Sequence, residues 1–209
     1  MNLVKSKQML IRHLIERGVL QSPRMRAVFE QVPRESFVSR RYKNKAYENT
    51  PLPLPRGQFI SQPLTVAIMT EALDPKEGDT ILEIGTGSGY QAALLSVLVG
   101  DSGKVITMEI IHDLAQRARS VLSEGGYTNV TVIDDNGHNG YLAEAPYDGI
   151  IVTASADDIP SALVDQLRDG GTMVIPVRDT MYVVTKQGTS IGRKSLGNFS
   201  FVRLQDPNA

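Results

Sequence analysis

From residue 80 onward, short apolar runs alternate with stretches of helical character, and this alternation constrains the fold more than any other feature. Apolar runs bounded by polar residues or glycine predict buried strands, and apolar residues at helical spacing between them predict helices. Alternating strands and helices form βαβ units with right-handed crossovers, which build a doubly wound, mostly parallel sheet. The predicted strands are Thr80–Ile84, Lys104–Met108, Val130–Ile133, Gly149–Thr153 and Thr172–Val177, and the predicted helices are Tyr90–Val99, Ile111–Glu124 and Ile159–Arg168.

The C-terminal part departs from this alternation, because only a loop separates the strand-like runs Tyr182–Lys186 and Asn198–Leu204. Strands that are joined without a helix usually pair antiparallel. We therefore expect these two strands to complete the sheet at its edge or end. The result is an α/β fold with a mostly parallel, seven-stranded, doubly wound sheet.

The first 78 residues have a different, mainly helical character. Apolar residues recur at near-helical spacing over Met9–Val19, and Ser22-Pro23 is typical of the start of a second helix. Alternating prolines within Thr50–Gly57 exclude a helix there and predict an extended connector. Leu64–Leu73 is again helical in character.

A chain of 209 residues is long enough for one well-buried domain and hardly for two. We expect a single domain over 1–209, in which 1–78 form an N-terminal helical cap and 79–209 form the cofactor-binding sheet. Charged residues interrupt the first twenty positions and no apolar run has membrane-spanning length, so we predict no signal peptide and no membrane helix. The sequence contains no cysteine, which excludes disulfides and thiolate chemistry and fits a cytoplasmic protein.

Charge is unevenly distributed along the chain. Residues 1–50 carry eleven Lys or Arg and four Asp or Glu, whereas residues 51–209 carry eleven and nineteen. A basic lobe can bind nucleic acid or an acidic polypeptide. Because no aromatic interleaving or RNA-binding motif accompanies the charge, a solvated helical face is the preferred interpretation. We predict a monomer with no nucleic-acid partner and no membrane association.

A glycine-rich turn, Glu83-Ile84-Gly85-Thr86-Gly87-Ser88-Gly89-Tyr90, follows the first predicted strand and opens a helix. Glycines let the backbone turn sharply and approach a ligand closely, and the helix N-terminus offers unpaired N–H groups. On a doubly wound sheet such a turn lies where nucleotide-like ligands bind. Tyr90 occupies the position of the third glycine in a dinucleotide fingerprint, which argues against a nicotinamide-dependent oxidoreductase.

Glu109 strengthens the ligand interpretation, because it ends the second predicted strand, where a carboxylate can accept hydrogen bonds from both ribose hydroxyls of an adenosine. A tight structural turn without a ligand is the alternative. Thr86 stands where a nucleophile elbow requires glycine, and no glycine directly precedes Lys194, as a P-loop requires. The three histidines lie too far apart to form a ligand pair, so we predict no metal site.

Two other segments carry a more specific resemblance. The run Gly57-Gln58-Phe59-Ile60-Ser61-Gln62-Pro63 and the segment Ala145–Ala154 are similar to segments of the protein-L-isoaspartate O-methyltransferases, and the resemblance covers roughly residues 25–205. It implies a Rossmann-like methyltransferase fold, with S-adenosyl-L-methionine as cofactor and S-adenosyl-L-homocysteine as product. Damaged proteins and peptides that contain isoaspartate would be the partners.

The resemblance also implies roles for individual residues. Ser61 matches the serine regarded as the active-site residue of this family. Members transfer a methyl group to the α-carboxylate of an L-isoaspartyl residue, or to the side-chain carboxylate of a D-aspartyl one, and the ester then closes to a succinimide that hydrolyses partly to normal aspartate. The expected cofactor-binding residues are Gln58, Ile60, Ser61, Glu83, Gly85, Thr86, Gly87, Ser88, Gly89, Glu109, Ile110, Asn136 and Gly137.

This chemistry agrees with the residue types that the sequence lacks. A carboxylate is already ionised at neutral pH and the sulfonium methyl is already activated, so no strong base, metal or covalent nucleophile is needed. Catalysis then reduces mainly to alignment, which can lower a barrier by roughly 7–11 kcal/mol. Ser61 would hold the attacking carboxylate through its hydroxyl; an ordinary loop or capping serine before Pro63 is the alternative.

Several positions depart from the family pattern, and two of them flank the expected substrate site. The departures leave room for a carboxyl methyltransferase specialised for one peptide, or for a cofactor-binding protein with little activity. A methyltransferase for a small molecule or RNA is a further alternative, although such an enzyme need not contain the segment around Ser61. The departing residues are Asn49 for an acid, Phe59 for threonine, Asn136 for aspartate, Arg178 for glycine and Arg203 for proline.

Overall fold

The computed structural model describes residues 2–205, which contain nine strands in two sheets. In chain order, β1 to β9 are Leu52–Pro53, Phe59–Ile60, Thr80–Ile84, Lys104–Glu109, Val130–Asp134, Tyr147–Val152, Leu167–Val177, Thr180–Gln187 and Ser190–Asn198. Strands β1 and β2 form a small antiparallel pair, and the other seven form the central sheet in the order β5-β4-β3-β6-β7-β8-β9. The predicted seven-stranded, doubly wound sheet is therefore confirmed.

Strand β3 is the point at which the direction of winding reverses. It pairs parallel with β4 on one side and with β6 on the other. Residues 81–84 of β3 are buried, as expected for a strand with both faces covered, and this explains why all of them except Glu83 are apolar. In a doubly wound sheet, the carboxyl ends of the strands at such a reversal border a crevice. The glycine-rich turn leaves β3 at this point.

The helices are positioned by apolar faces of different widths. Helix α1 is capped by the Asn2 side chain, which accepts a hydrogen bond from the Val4 N–H at 3.0 Å. Nearly every residue of α4 is buried, because this helix packs against both the sheet and α2. In chain order, α1 to α6 are Leu3–Glu16, Pro23–Gln31, Pro63–Leu73, Tyr90–Val99, His112–Glu124 and Ser161–Gln166.

The N-terminal segment shares a hydrophobic core with the sheet. One cluster of buried side chains joins Leu14 of α1, Phe29 of α2, Met69 of α3 and Ile81 of β3. This continuity supports the prediction of a single domain. The division of that domain into a cap over 1–78 and a sheet over 79–209 stays a prediction. Its outer limits, at residues 1 and 209, lie outside the described residues. Within residues 2–205, no helix has both the length and the apolar character needed to cross a bilayer.

Two predicted elements near the C-terminus are wrong. The helix predicted over Ile159–Arg168 is the shorter α6, because Leu167 already pairs with Tyr147 as the first residue of β7. The partner of β8 is Ser190–Asn198 and not the strand predicted over Asn198–Leu204. Strand β9 is exposed along most of its length, so its sequence shows no apolar alternation that could have identified it.

Residues 199–205 instead form an irregular segment that crosses to β6. Within residues 2–205, the β-bridge that this segment makes is an isolated parallel one between Ser155 and Arg203. The Ser155 N–H donates to the Val202 carbonyl at 2.7 Å, and the Leu204 N–H donates to the Ser155 carbonyl at 2.8 Å. We refer to residues 199–205 as the C-terminal segment.

The connector predicted to be extended over Thr50–Gly57 is confirmed only in part. Leu52–Pro53 is strand β1, but Pro55–Gly57 is a 3-10 turn. Within this turn Arg56 has a left-handed backbone with φ 59°, which is uncommon for a residue other than glycine.

Candidate active site

The glycine-rich turn after β3 brings the backbone close to the end of β6. Gly85 has a φ of 94°, and a Cβ at this position would overlap the Thr153 hydroxyl oxygen. That hydroxyl donates to the Gly85 carbonyl at 2.6 Å. Because no other residue fits this conformation and this space without strain, the turn requires glycine here. The turn therefore presents backbone, and not side chains, to the crevice.

Glu83, at the end of β3, is a buried carboxyl group whose hydrogen bonding is incomplete. Its Oε2 accepts a hydrogen bond from the Thr107 hydroxyl at 2.6 Å, and the Thr107 and Thr86 hydroxyl oxygens lie 2.7 Å apart. Its Oε1 is buried and has no partner within residues 2–205. Burial raises the pKa of Glu83 to about 8. A buried acceptor without a partner at a cavity wall is suited to a ligand that brings a donor.

Glu109, the last residue of β4, is held by two backbone donors. Its Oε2 accepts from the Gly87 N–H at 2.8 Å, and its Oε1 accepts from the Ile111 N–H at 3.0 Å. Because each carboxylate oxygen can accept two hydrogen bonds, this arrangement leaves acceptor capacity on both oxygens. The carboxylate is thus fixed in place and still able to bind a pair of hydroxyl groups.

Ser61 lines the same cavity as the glycine-rich turn, and a buried arginine holds its main chain. Arg34 is fully buried. Its Nη2 donates to the Ser61 carbonyl at 2.9 Å, and its Nε donates to the Ala46 carbonyl at 2.8 Å. Its guanidinium carbon lies 5.1 Å from the Tyr90 ring centroid, within the range of a cation–π interaction. Burial lowers the pKa of Arg34 to about 10.

The structure brings twelve of the thirteen predicted cofactor-binding residues to the lining of one cavity. The cavity is open to solvent, and its lining runs from the turn after β3 to the ends of β4 and β5, where nucleotide-like ligands bind on doubly wound sheets. Gly89 is the exception, since it is the N-cap of α4 and does not line the cavity. The twelve residues are Gln58, Ile60, Ser61, Glu83, Gly85, Thr86, Gly87, Ser88, Glu109, Ile110, Asn136 and Gly137.

Asn136 and Gly137 border the cavity at the end of β5. The Asn136 Oδ1 accepts a hydrogen bond from the His138 N–H at 2.9 Å, and its Nδ2 donates to the Gln205 carbonyl at 3.3 Å. A Cβ at Gly137 would lie 2.7 Å from Ile84 Cγ2, so this position also requires a close backbone approach. The Asn136 amide thus connects the cavity wall to the C-terminal segment.

Sequence reasoning missed several residues that line the cavity. Thr153 could have been found, because it ends the strand that neighbours β3 at the reversal of winding. Arg34, which lies behind the lining, gave no signal, since a charged residue is rarely fully buried. Besides Ile84, which belongs to the glycine-rich turn, the lining residues that were not predicted are Phe59, Val66, Met69, Tyr90, Gln91, Met108, Ile111, Thr153, Ala154, Val202, Arg203, Leu204 and Gln205.

The fold and the cavity together define a class of enzyme. A doubly wound sheet carries a glycine-rich turn, a buried carboxyl without a full set of partners and a second carboxylate suited to a ribose, which are the features that an S-adenosylmethionine-dependent methyltransferase requires. Within residues 2–205, no group of His, Asp or Glu side chains is placed to hold a metal ion. The sequence profile of the protein-L-isoaspartate(D-aspartate) O-methyltransferases matches residues 5–209. The chain belongs to this family.

Individual relatives agree with the family assignment. The chain is 51% identical to protein-L-isoaspartate O-methyltransferase 2 of Archaeoglobus fulgidus over 187 residues, covering 86% of this chain and 85% of the relative. It is 46% identical to protein-L-isoaspartate O-methyltransferase of Ignicoccus hospitalis over 205 residues, covering 96% and 97%. A Plasmodium falciparum protein assigned to the same activity, crystallised with S-adenosyl-L-homocysteine, superimposes with a TM-score of 0.83 at 25% identity, covering 94% and 97%.

Proposed function

We propose that this chain transfers a methyl group from S-adenosyl-L-methionine to the free carboxylate of L-isoaspartyl residues, and of D-aspartyl residues, in damaged proteins and peptides. The observation that carries the proposal is that Ser61 and the acidic residues Glu83 and Glu109 line one cavity. The family membership of the chain supports the same reaction. Methylation would begin repair, because the ester closes to a succinimide that hydrolyses partly to normal aspartate.

The residues present fit the cofactor. Glu109, oriented by the N–H groups of Gly87 and Ile111, would accept hydrogen bonds from the ribose hydroxyls. Glu83 would accept a hydrogen bond from the amino group of the methionine part through its unpartnered Oε1, because a bound ammonium favours the ionised form of this carboxyl. Asn136 and Gly137 would border the adenine, where the lack of a side chain at Gly137 allows close approach. The bound cofactor supplies an activated methyl group, so a carboxylate oxygen forms the new C–O bond as the C–S bond breaks.

Ser61 would orient the substrate without forming a covalent bond to it. Its hydroxyl can donate a hydrogen bond to one carboxylate oxygen, which leaves the other oxygen to react. The contact from Arg34 to the Ser61 carbonyl fixes the main chain from which this hydroxyl projects. No proton transfer is required, because the carboxylate is ionised at neutral pH. The contribution of the protein is therefore mainly alignment.

We also propose that the protein acts as a monomer in the cytoplasm and does not bind nucleic acid. The cysteine-free sequence supports a reducing compartment, and the basic N-terminal residues carry no RNA-binding motif. Light scattering in solution should give a mass near 22.9 kDa. A mass twice as large would reject the monomer.

The decisive experiment compares two peptides that differ only in one residue, L-isoaspartate or normal aspartate. Labelled methyl from S-adenosylmethionine should appear, in base-labile form, on the isoaspartyl peptide alone. Ser61→Ala should lower kcat by roughly 10- to 100-fold, the scale of one lost orienting hydrogen bond, with little change in affinity for S-adenosylhomocysteine. Label on neither peptide, with retained cofactor binding, would favour a binding protein. Equal loss of turnover and affinity would assign Ser61 a structural role.

A further inference from the structure

The mouth of the active-site cavity collects exposed apolar side chains. Within residues 2–205, seven large apolar residues have exposed side chains, and three of these line this one cavity. Scattered exposed apolar residues need no explanation, but a cluster around a ligand cavity marks a contact surface. The three at the cavity are Phe59, Ile110 and Val202, and the other four are Val4, Met9, Leu142 and Ile191.

Phe59 belongs to β2 and Val202 to the C-terminal segment, so both line the mouth from outside the glycine-rich turn and the Glu109 strand end. Phe59 is 51% exposed in strand β2, whereas its neighbour Ile60 is buried. Phe59 precedes Ser61 by two positions in a largely extended stretch of chain, and both residues line the cavity. Ile110, by contrast, follows the ribose-binding candidate Glu109 and belongs to the cofactor side.

Val202 and Arg203 face the same cavity from the C-terminal segment. Val202 is 38% exposed, and its carbonyl accepts a hydrogen bond from the Ser155 N–H at 2.7 Å, which fixes the backbone at this point. Arg203 is exposed and also lines the cavity. A guanidinium at this position repels cationic groups on a bound peptide and attracts anionic ones. We define Phe59, Val202 and Arg203 as the rim.

We propose that the rim selects isoaspartyl segments in which a residue adjacent to the isoaspartate has a large apolar side chain, and that it disfavours lysine there. The inference rests on the proposed function and specifies its substrate class. Phe59 and Val202 would cover the apolar side chain, while Arg203 would repel a cation. Such contacts form equally with the bound substrate and the transition state, so they should change KM more than kcat.

Two sets of synthetic peptides test the inference, one varying the residue before L-isoaspartate and one varying the residue after it. Each set contains phenylalanine, alanine and lysine versions. In at least one set, kcat/KM should be about tenfold higher for phenylalanine than for alanine, the scale of an aromatic contact plus its buried area. Lysine should be about threefold poorer than alanine. Equal values for phenylalanine and alanine in both sets would overturn the inference.

Variants connect this preference to the rim. Phe59→Ala should reduce the preference for phenylalanine to less than threefold, and Phe59→Leu should retain most of it. Arg203→Gln should remove the discrimination against lysine. Leu142→Ala is the matched control, since Leu142 is 78% exposed but does not line the cavity, and it should leave all ratios unchanged.

Affinity for S-adenosylhomocysteine separates the remaining outcomes. Phe59→Ala should leave this affinity within about twofold of the parent protein. A tenfold loss of affinity with an unchanged peptide preference would assign Phe59 to the cofactor and overturn the inference. If cofactor binding persists and no peptide of either set is methylated, the proposed function itself fails. Methylation of all peptides at equal rates rejects only the rim.

Discussion

The two sides of the active-site cavity differ in burial and in the kind of contact they make. The floor, which we define as Glu83, Thr86 and Glu109, is buried, and hydrogen bonds of 2.6–3.0 Å connect it to hydroxyls and backbone N–H groups. The rim is exposed and combines two apolar side chains with a guanidinium. If the proposed roles hold, a substitution in the floor should disturb both folding and cofactor binding, whereas one in the rim should change contacts with substrate. Substrate preference can therefore change without loss of the methyl-transfer machinery.

The largest effect is expected from Arg34, which supports Ser61 from beneath. Arg34→Met should lower the free energy of unfolding by about 3–5 kcal/mol, because the Ala46 and Ser61 carbonyls lose their buried donor. In urea denaturation, the free energy of unfolding of Arg34→Lys should lie between those of the parent protein and Arg34→Met, since one ammonium replaces a forked donor.

Activity measurements extend the test of Arg34. Arg34→Lys should lower kcat at least tenfold while affinity for S-adenosylhomocysteine stays within threefold. The reason is that Arg34 donates hydrogen bonds to the Ser61 and Ala46 carbonyls and not to residues of the floor. Parent-like stability and kcat in Arg34→Met would contradict this account.

The next effect is a change in pH dependence through Glu83. Because burial raises its pKa from 4.5 to about 8, the folded state holds a proton that the unfolded state has released in this range. Stability should therefore fall as pH rises from about 4.5 to about 8 and then level off. Glu83→Gln should remove roughly 3–4 kcal/mol of this decline between pH 5 and 8. Parallel pH curves for both proteins in thermal unfolding would reject a protonated Glu83.

A smaller effect is expected from Glu109, the proposed ribose-binding residue of the floor. Glu109→Gln should weaken S-adenosylhomocysteine binding about 10- to 30-fold in calorimetry, since an amide cannot accept from Gly87, Ile111 and two hydroxyls together. Glu144→Gln is the matched control, because Glu144 pairs with Lys104 and does not line the cavity. If the two variants bind equally well, Glu109 has no part in binding the ribose.

The smallest effect concerns the contact between the cavity wall and the C-terminal segment. Asn136→Asp keeps the acceptor for the His138 N–H but loses the donor to the Gln205 carbonyl. One exposed hydrogen bond is worth about 1 kcal/mol or less, so hydrogen exchange at the Leu204 amide should accelerate by a few-fold. Affinity for S-adenosylhomocysteine should change less than threefold. Unchanged exchange would show that Asn136 does not restrain this segment.

The centre of the fold could be predicted from the sequence because its signals are strong and local. The bounds of β3 and α4 agree with the prediction, since a buried strand and a predominantly apolar helix flank the glycine-rich turn. The hairpin of β8 and β9 was placed incorrectly because β9 is exposed and carries no apolar period. The β-propensity of its residues could not have located β9, because pairing along an exposed edge depends on the neighbouring strand and not on the sequence of β9 alone.

The site was predicted where residues close in sequence form it, and missed where distant segments meet. The glycine-rich turn and the Gln58–Ser61 run were each recognisable as short motifs, and both line the cavity. Val202 and Arg203 reach it only because the C-terminal segment crosses back to Ser155. Predicting that crossing requires the strand order, which the sequence does not determine. Arg34 escaped notice because its partners are two carbonyls, which every residue possesses.

The C-terminal segment has a consequence for the biosynthesis of the protein. Residues 202–205 supply one wall of the cavity, whereas the other walls come from residues before 155. A nascent chain that has emerged from the ribosome only as far as β8 therefore lacks this wall, even when its glycine-rich turn has folded. We therefore expect a complete cavity only in a chain that has been synthesised through residue 205.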